Sequence, residues 1–104
     1  MYTVLVCDDD IAILDSVEIY LKLEGYNVLR AENGRQALEQ VKNNEVHCVI
    51  LDIMMPGLDG LQATLKLRET NNIPIILLSA KSEDTDKITG LSFGADDYVT
   101  KPPK

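Results

Sequence analysis

Five short apolar runs, separated by segments with helical periodicity, constrain this chain more than any other feature. The runs cover Thr3 to Cys7, Asn27 to Ala31, Cys48 to Leu51, Pro74 to Leu78 and Tyr98 to Val99. Strands that alternate with helices build a parallel sheet with the crossover helices on its faces. Cys48-Val49-Ile50-Leu51 and Ile75-Ile76-Leu77-Leu78 are apolar at every position, so both of their faces must be covered. They are expected to be central strands of an α/β domain. At 104 residues the chain accommodates one domain, and a hydrophobic content of 45% is enough for its core.

The helical segments carry their own apolar stripes. Ile11 to Leu23 aligns Leu14, Val17 and Leu21 and stops at Gly25; Gly34 to Asn43 aligns Ala37, Leu38 and Val41. A third helix is expected over Gly60 to Glu69 with Leu61 and Leu65 inward. A fourth is expected over Glu83 to Phe93, capped by Ser82, with Ile88 and Leu91 inward and Gly94 as its stop.

Charge and thiol content narrow the function classes. Asp and Glu number 17 against 10 Lys and Arg, and a net charge of −7 disfavours nonspecific binding to nucleic acid or anionic membrane. It favours a cation or a basic partner. No run of about 18 uncharged apolar residues is present and the first residues lack a secretory signal, so the expected compartment is the cytoplasm. Cys7 and Cys48 fall at different heights of their strands, roughly 10 Å or more apart, and are expected to be buried free thiols rather than a disulfide.

The unusual polar residues cluster at the carboxyl ends of the apolar runs, where open α/β sheets bind ligands. Asp8, Asp9 and Asp10 follow the first run, Asp52 the third, Ser79 the fourth, and Lys101 closes the fifth. If the first and third strands are neighbours, Asp8, Asp9 and Asp52 converge. Carboxylates ~4 Å apart repel by about 4 kcal/mol per pair at an effective dielectric near 20, and a hard divalent cation relieves that repulsion. Mg2+ suits such all-oxygen ligands. The single histidine, His47, precedes the third strand, about 16 Å from Asp52 along it, which excludes a Ser-His-Asp triad and a His-containing zinc site here. Lys101 can pair with the acids and later accept a phosphoryl oxygen, and Ser79 adds a hydroxyl donor. The chemistry these groups suit is in-line attack of a carboxylate on phosphorus.

Four stretches together carry a family resemblance: Leu5-Val6-Cys7-Asp8-Asp9-Asp10, Leu51-Asp52-Ile53-Met54-Met55-Pro56-Gly57-Leu58-Asp59-Gly60, Leu77-Leu78-Ser79-Ala80 and Gly94-Ala95-Asp96-Asp97-Tyr98-Val99-Thr100-Lys101-Pro102. The chain resembles the receiver domain of two-component response regulators over essentially its whole length. The resemblance implies a flavodoxin-like three-layer sandwich, with a five-stranded parallel sheet of order 2-1-3-4-5. It implies phosphorylation of Asp52 by a phosphohistidine of a sensor histidine kinase. Asp9, Asp52 and the Met54 backbone carbonyl would ligate Mg2+ directly, and Asp8 mainly through water. Ser79 and Lys101 would bind phosphoryl oxygens, the Lys101-Pro102 peptide would be cis, and Tyr98 would be an aromatic switch coupled to Ser79, with the small Ala80 leaving it room. In the family, Met54 and Lys81 occupy positions that tune access of the hydrolytic water.

The run Asp86-Lys87-Ile88-Thr89-Gly90-Leu91 is most similar to the winged-helix transcription-factor branch, including the vancomycin-resistance regulators. That branch forms a homodimer through its fourth helix, fifth strand and fifth helix, with Lys87, Asp96 and Asp97 as candidate charged members here. Two departures from the pattern are Lys101-Pro102-Pro103 in place of Lys-Pro-Phe and the end at Lys104, so the fifth helix and any DNA-binding domain are expected to be missing. One sheet face would then be covered by the first helix alone, favouring lower stability or self-association. Two other classes compete with the signalling role. A Mg2+-dependent phosphohydrolase generally needs a second acid two residues after the nucleophile, where this chain has Met54; the other class is a stand-alone receiver or an inert interaction domain, and an inert one would not need the full phosphorylation set.

Overall fold

The computed structural model describes residues 1–79 and 91–101. Five strands, β1 (Thr3–Cys7), β2 (Asn27–Ala31), β3 (Cys48–Asp52), β4 (Ile75–Ser79) and β5 (Asp97–Thr100), form one sheet, all neighbouring pairs parallel, in the order β2-β1-β3-β4-β5. Helices α1 (Ile11–Leu23), α2 (Gly34–Asn43) and α3 (Gly60–Thr70) connect them. The fourth helix, its Ser82 cap and Ile88, together with Ala80, Lys81, Lys87 and the Lys101-Pro102 bond, lie outside the described residues.

Each helix starts on an acidic or amide side chain that takes up an amide N–H otherwise left without a partner. Asp10 accepts from Ala12, Asn33 from Gln36 and Asp59 from Gln62. Apolar periodicity locates the helices, and these caps set where they begin.

Side-chain alternation sorts the sheet into two cores. Leu5, Cys7, Val49, Leu51, Ile75 and Leu77 face α2 and α3 and are buried with Ala37, Ala63 and Leu67. Val4 and Val6 face α1, where Leu14 is buried and Val17, Leu21, Cys48 and Ile50 are half-buried. The expected stripes hold for α1 and α2. On α3 Leu65 is exposed, and the buried positions are Gly60, Ala63, Thr64 and Leu67, because α3 lies close enough to the sheet that small residues make its contact. Leu91 is also exposed rather than inward.

The strand ends run one residue further than the apolar runs. Ile53 N–H donates to Leu78 O, and Lys101 N–H donates to Ser79 O, so Asp52 and Ser79 are the last residues of β3 and β4 rather than the first of the following loops. β4 begins at Ile75 and not at Pro74, which has no N–H to give to a ladder. Asp97 and Thr100 complete β5 by pairing with Ile76 and Ser79. Both cysteines are free, Cys7 buried in one core and Cys48 only half-buried on the opposite face.

Candidate functional site: an acidic pocket at the strand ends

The β1–β3 pairing, with Cys7 opposite Leu51, brings the residues that follow each strand to the same edge. Asp8, Asp9 and Asp52 offer carboxylate oxygens that all lie within 4.8 Å of one another. Asp8 and Asp52 are buried, whereas Asp9 is exposed and forms the solvent side of the group. One Asp8 oxygen is fixed by the Asp10 N–H at 2.9 Å, so the cap of α1 also orients the buried acid.

Lys101 reaches into this pocket from the end of β5. Its Nζ lies 3.0 Å from Asp8 Oδ2 and 3.1 Å from Asp52 Oδ1. Asp52 Oδ1 also receives a long contact, 3.4 Å, from the Met54 N–H. Among the described residues, Asp52 Oδ2 is buried with no hydrogen-bond partner, and Asp8 Oδ2 has the lysine charge beside it but no hydrogen bond. Two buried carboxylate oxygens without hydrogen bonds are costly unless a further cation or donor meets them.

The electrostatics follow from this crowding. Burial and the Asp8 charge push the Asp52 carboxyl up to about 6, with Lys101 and the Met54 N–H pulling the other way. Burial opposes the Lys101 ammonium, but its contacts with Asp8 and Asp52 win and raise it above an ordinary lysine. Burial, followed by the charges of Asp8, Asp52 and Asp9, pushes the Cys7 thiol to about 12, and its Sγ donates to Asn33 O at 3.3 Å. Cys7 is a buried neutral thiol, and the ligand atoms that converge are those of Asp8, Asp9 and Asp52. The donors that remain are hard oxygens, which fit Mg2+ through carboxylates and water.

Other expected residues sit around the pocket. Ser79 is buried at the end of β4, one position beyond the partner of Asp52. Tyr98 is half-buried opposite Leu77 and packs on the larger core. The Met54 side chain is exposed. His47 lies at the amino end of the sheet, where Nδ1 accepts from Thr3 N–H and Nε2 contacts Glu45, as its position before β3 requires. Asp96 is not simply a surface charge: its Oδ2 accepts from Arg68 Nη2 at 2.7 Å and from Ile75 N–H at 2.8 Å. Asp97 is exposed.

Glycines that hold the pocket's walls were not legible as such. Gly60 starts α3 against the end of β3, and a Cβ there would collide with the Asp52 carbonyl oxygen. Gly34 starts α2 against the same loop, where a Cβ would collide with Leu58 O. The signal in the sequence is a glycine directly after each capping residue, Asn33 and Asp59.

A parallel sheet of order 2-1-3-4-5 with three carboxylates and a lysine at its carboxyl edge defines a receiver-type signalling domain. The response regulator receiver domain family model matches residues 4–104, and the chain belongs to that family. It is 48% identical over 99 residues to the regulatory protein VanR of Enterococcus faecium, covering 95% of this chain and 43% of VanR. It is 44% identical over 101 residues to the transcriptional regulatory protein YvrH of Bacillus subtilis, covering 96% of this chain and 43% of that protein. Among solved structures it is similar to the response regulator TrrA of Thermotoga maritima in complex with Mg(2+)-BeF, with a TM-score of 0.88 and 38% identity, covering 98% of this chain and 88% of that one. The chain thus spans about two-fifths of the length of these curated relatives.

Proposed function

We propose that this domain is the phosphoacceptor module of a two-component transcriptional regulator, with Asp52 taking a phosphoryl group from a sensor histidine kinase in the cytoplasm. The observation that carries this reading is the buried Asp52 oxygen that has no hydrogen-bond partner among the described residues, beside two further carboxylates and a lysine. Asp8, Asp9, Asp52 and the Met54 carbonyl would hold Mg2+. When bound, the ion offsets negative charge on the carboxylates and on the incoming phosphoryl oxygens. The similar structure of TrrA is a complex with Mg(2+)-BeF, which supports Mg2+ as the ion for this domain.

The chain's own residues supply the rest. Ionised Asp52 attacks phosphorus in line, and Lys101 moves its charge from the carboxylates to a phosphoryl oxygen. Ser79 donates to another oxygen, and Tyr98, on the neighbouring strand, follows Ser79 inward. Asp97 and Lys87 then serve a homodimer face, while Asp96 is already committed to Arg68. Transcriptional output and DNA contact belong to a further domain of the kind the relatives' names and lengths suggest. The domain is a signalling switch that promotes its own phosphorylation and slow dephosphorylation, not a turnover enzyme.

Incubation with Mg2+ and acetyl phosphate tests this directly. One phosphoryl group per chain by intact mass, absent from Asp52→Ala, is expected. Release of many equivalents of phosphate would favour a phosphohydrolase, and no labelling at all an inert domain.

A further inference from the structure

A cleft of about 380 Å3 opens beside Asp9, lined by Glu32, Asn33, Arg35, Pro56, Gly57 and Leu58. It holds a cation that neither the fold nor the metal ligands use. The chain has three arginines. Arg30 is tied to Asp15 and Glu18, and Arg68 to Asp96 and to the Gly94 and Ile73 carbonyls. Arg35, among the described residues, makes no hydrogen bond or ion pair, although two carboxylates line the same cleft.

Its position is also locally unfavourable. Arg35 is the second residue of α2, where the positive end of the helix dipole disfavours a cation, and no acidic residue in that first turn offsets it. Gly34, pressed against Leu58 O, seats this turn on the loop that follows Asp52, so the arginine stays at the cleft rim. A cation placed against local preference, unpaired among the described residues and lining the same cleft as Asp9, has the character of a group waiting for an anion.

We propose that Arg35 is a specificity-determining residue for phosphodonors whose leaving group is anionic, acyl phosphates in particular. The inference rests on Asp52 being the phosphoacceptor. As an Asp52 oxygen forms its bond to phosphorus, the bond from phosphorus to the acyl oxygen breaks. The electron pair stays on that oxygen, and the group departs as a carboxylate. In-line geometry sends it away from buried Asp52, toward the solvent side where Asp9 and this cleft lie. Arg35 meets the new negative charge there with a charge-assisted hydrogen bond. A donor with a phosphorus–nitrogen bond releases a protonated, neutral amine or imidazole and gives Arg35 nothing to stabilise.

The test compares two donors on the full chain with Mg2+, following labelling by intact mass. Arg35→Gln should slow labelling by acetyl phosphate roughly fivefold, a size typical of one exposed charge-assisted contact, and leave labelling by phosphoramidate within about twofold. Arg35→Lys should restore part of the loss. Acetylphosphonate, which cannot transfer its phosphorus, should shift the Arg35 Nε–H resonance in the wild type. Equal slowing with both donors, no slowing with either, or an unmoved resonance overturns the role of Arg35. A wild type labelled by neither donor overturns the phosphoacceptor reading itself, and this inference with it.

Discussion

Asp52 is held between two opposing demands, burial that favours a protonated carboxyl and a lysine that favours an ionised one. Its carboxyl titrates near 6 in the native state against an ordinary value of 3.8. Between those values the native state holds a proton that the unfolded chain has released. The associated stability is present below about pH 4 and lost as pH rises through 6. Asp52→Asn should therefore melt higher than the wild type at pH 8 without Mg2+, by on the order of 1–3 kcal/mol, and the gain should vanish near pH 4. Thermal melts across that range check the sign. Lys101→Ala acts oppositely, because it strips from two buried acids the one cation that pairs with them among the described residues. A loss of about 2–4 kcal/mol at pH 8, shrinking on acidification as the carboxyls protonate, is the expected result of a denaturant titration.

The β3–α3 connection shows how elements enforce what single residues need. It leaves β3 at Asp52, turns through Gly57 at φ 76° and re-enters as α3 at Gly60, whose N–H donates to Ile53 O. Since a Cβ on Gly60 meets the Asp52 carbonyl oxygen, Gly60→Ala has to push the loop away from the strand. A destabilisation of about 1–3 kcal/mol is expected, with weaker Mg2+ binding, which calorimetric titration would register. At the opposite end of the sheet Arg68 joins α3 to the loop before β5, through Gly94 O, Ile73 O and Asp96. β5 is an edge strand with mostly exposed side chains, so this fork and the Lys101 ion pairs are what anchor its two ends. Arg68→Ala should raise amide hydrogen exchange along β5 more than along β1 or β3; uniform exchange would show that pairing with β4 alone holds the strand.

For the whole molecule, the two sheet faces are unequally covered among the described residues. α2 and α3 bury one face, whereas α1 covers only the β1, β2 and part of the β3 side of the other. Ile50 and Ile76 remain half-buried there, and Val99 is 46% exposed. Apolar surface of this kind is worth about 25 cal/mol per Å2 on burial, so the 104-residue chain should self-associate as concentration rises. Sedimentation should show that association, with Ile76→Lys and Val99→Lys together weakening it. A monomer at all concentrations would show that the face tolerates water.

Much of this was legible before any coordinates. Uninterrupted apolar runs name the central strands, because a strand buried on both faces has no polar position. Acids and a lysine at the carboxyl ends of those runs name the pocket, because parallel strands deliver their last residues to one edge. What the chain alone could not say is what depends on distance across the fold. Leu65 keeps the helical spacing yet faces solvent, since small residues bring α3 down onto the sheet. Asp96 reads as a surface charge yet closes the Arg68 fork, 28 residues away in sequence. Arg35 and Gly60 look ordinary until Asp9 and the Asp52 carbonyl are beside them. Periodicity is a property of neighbours along the chain, whereas close approach, burial of charge and the absence of a partner exist only once distant segments have packed.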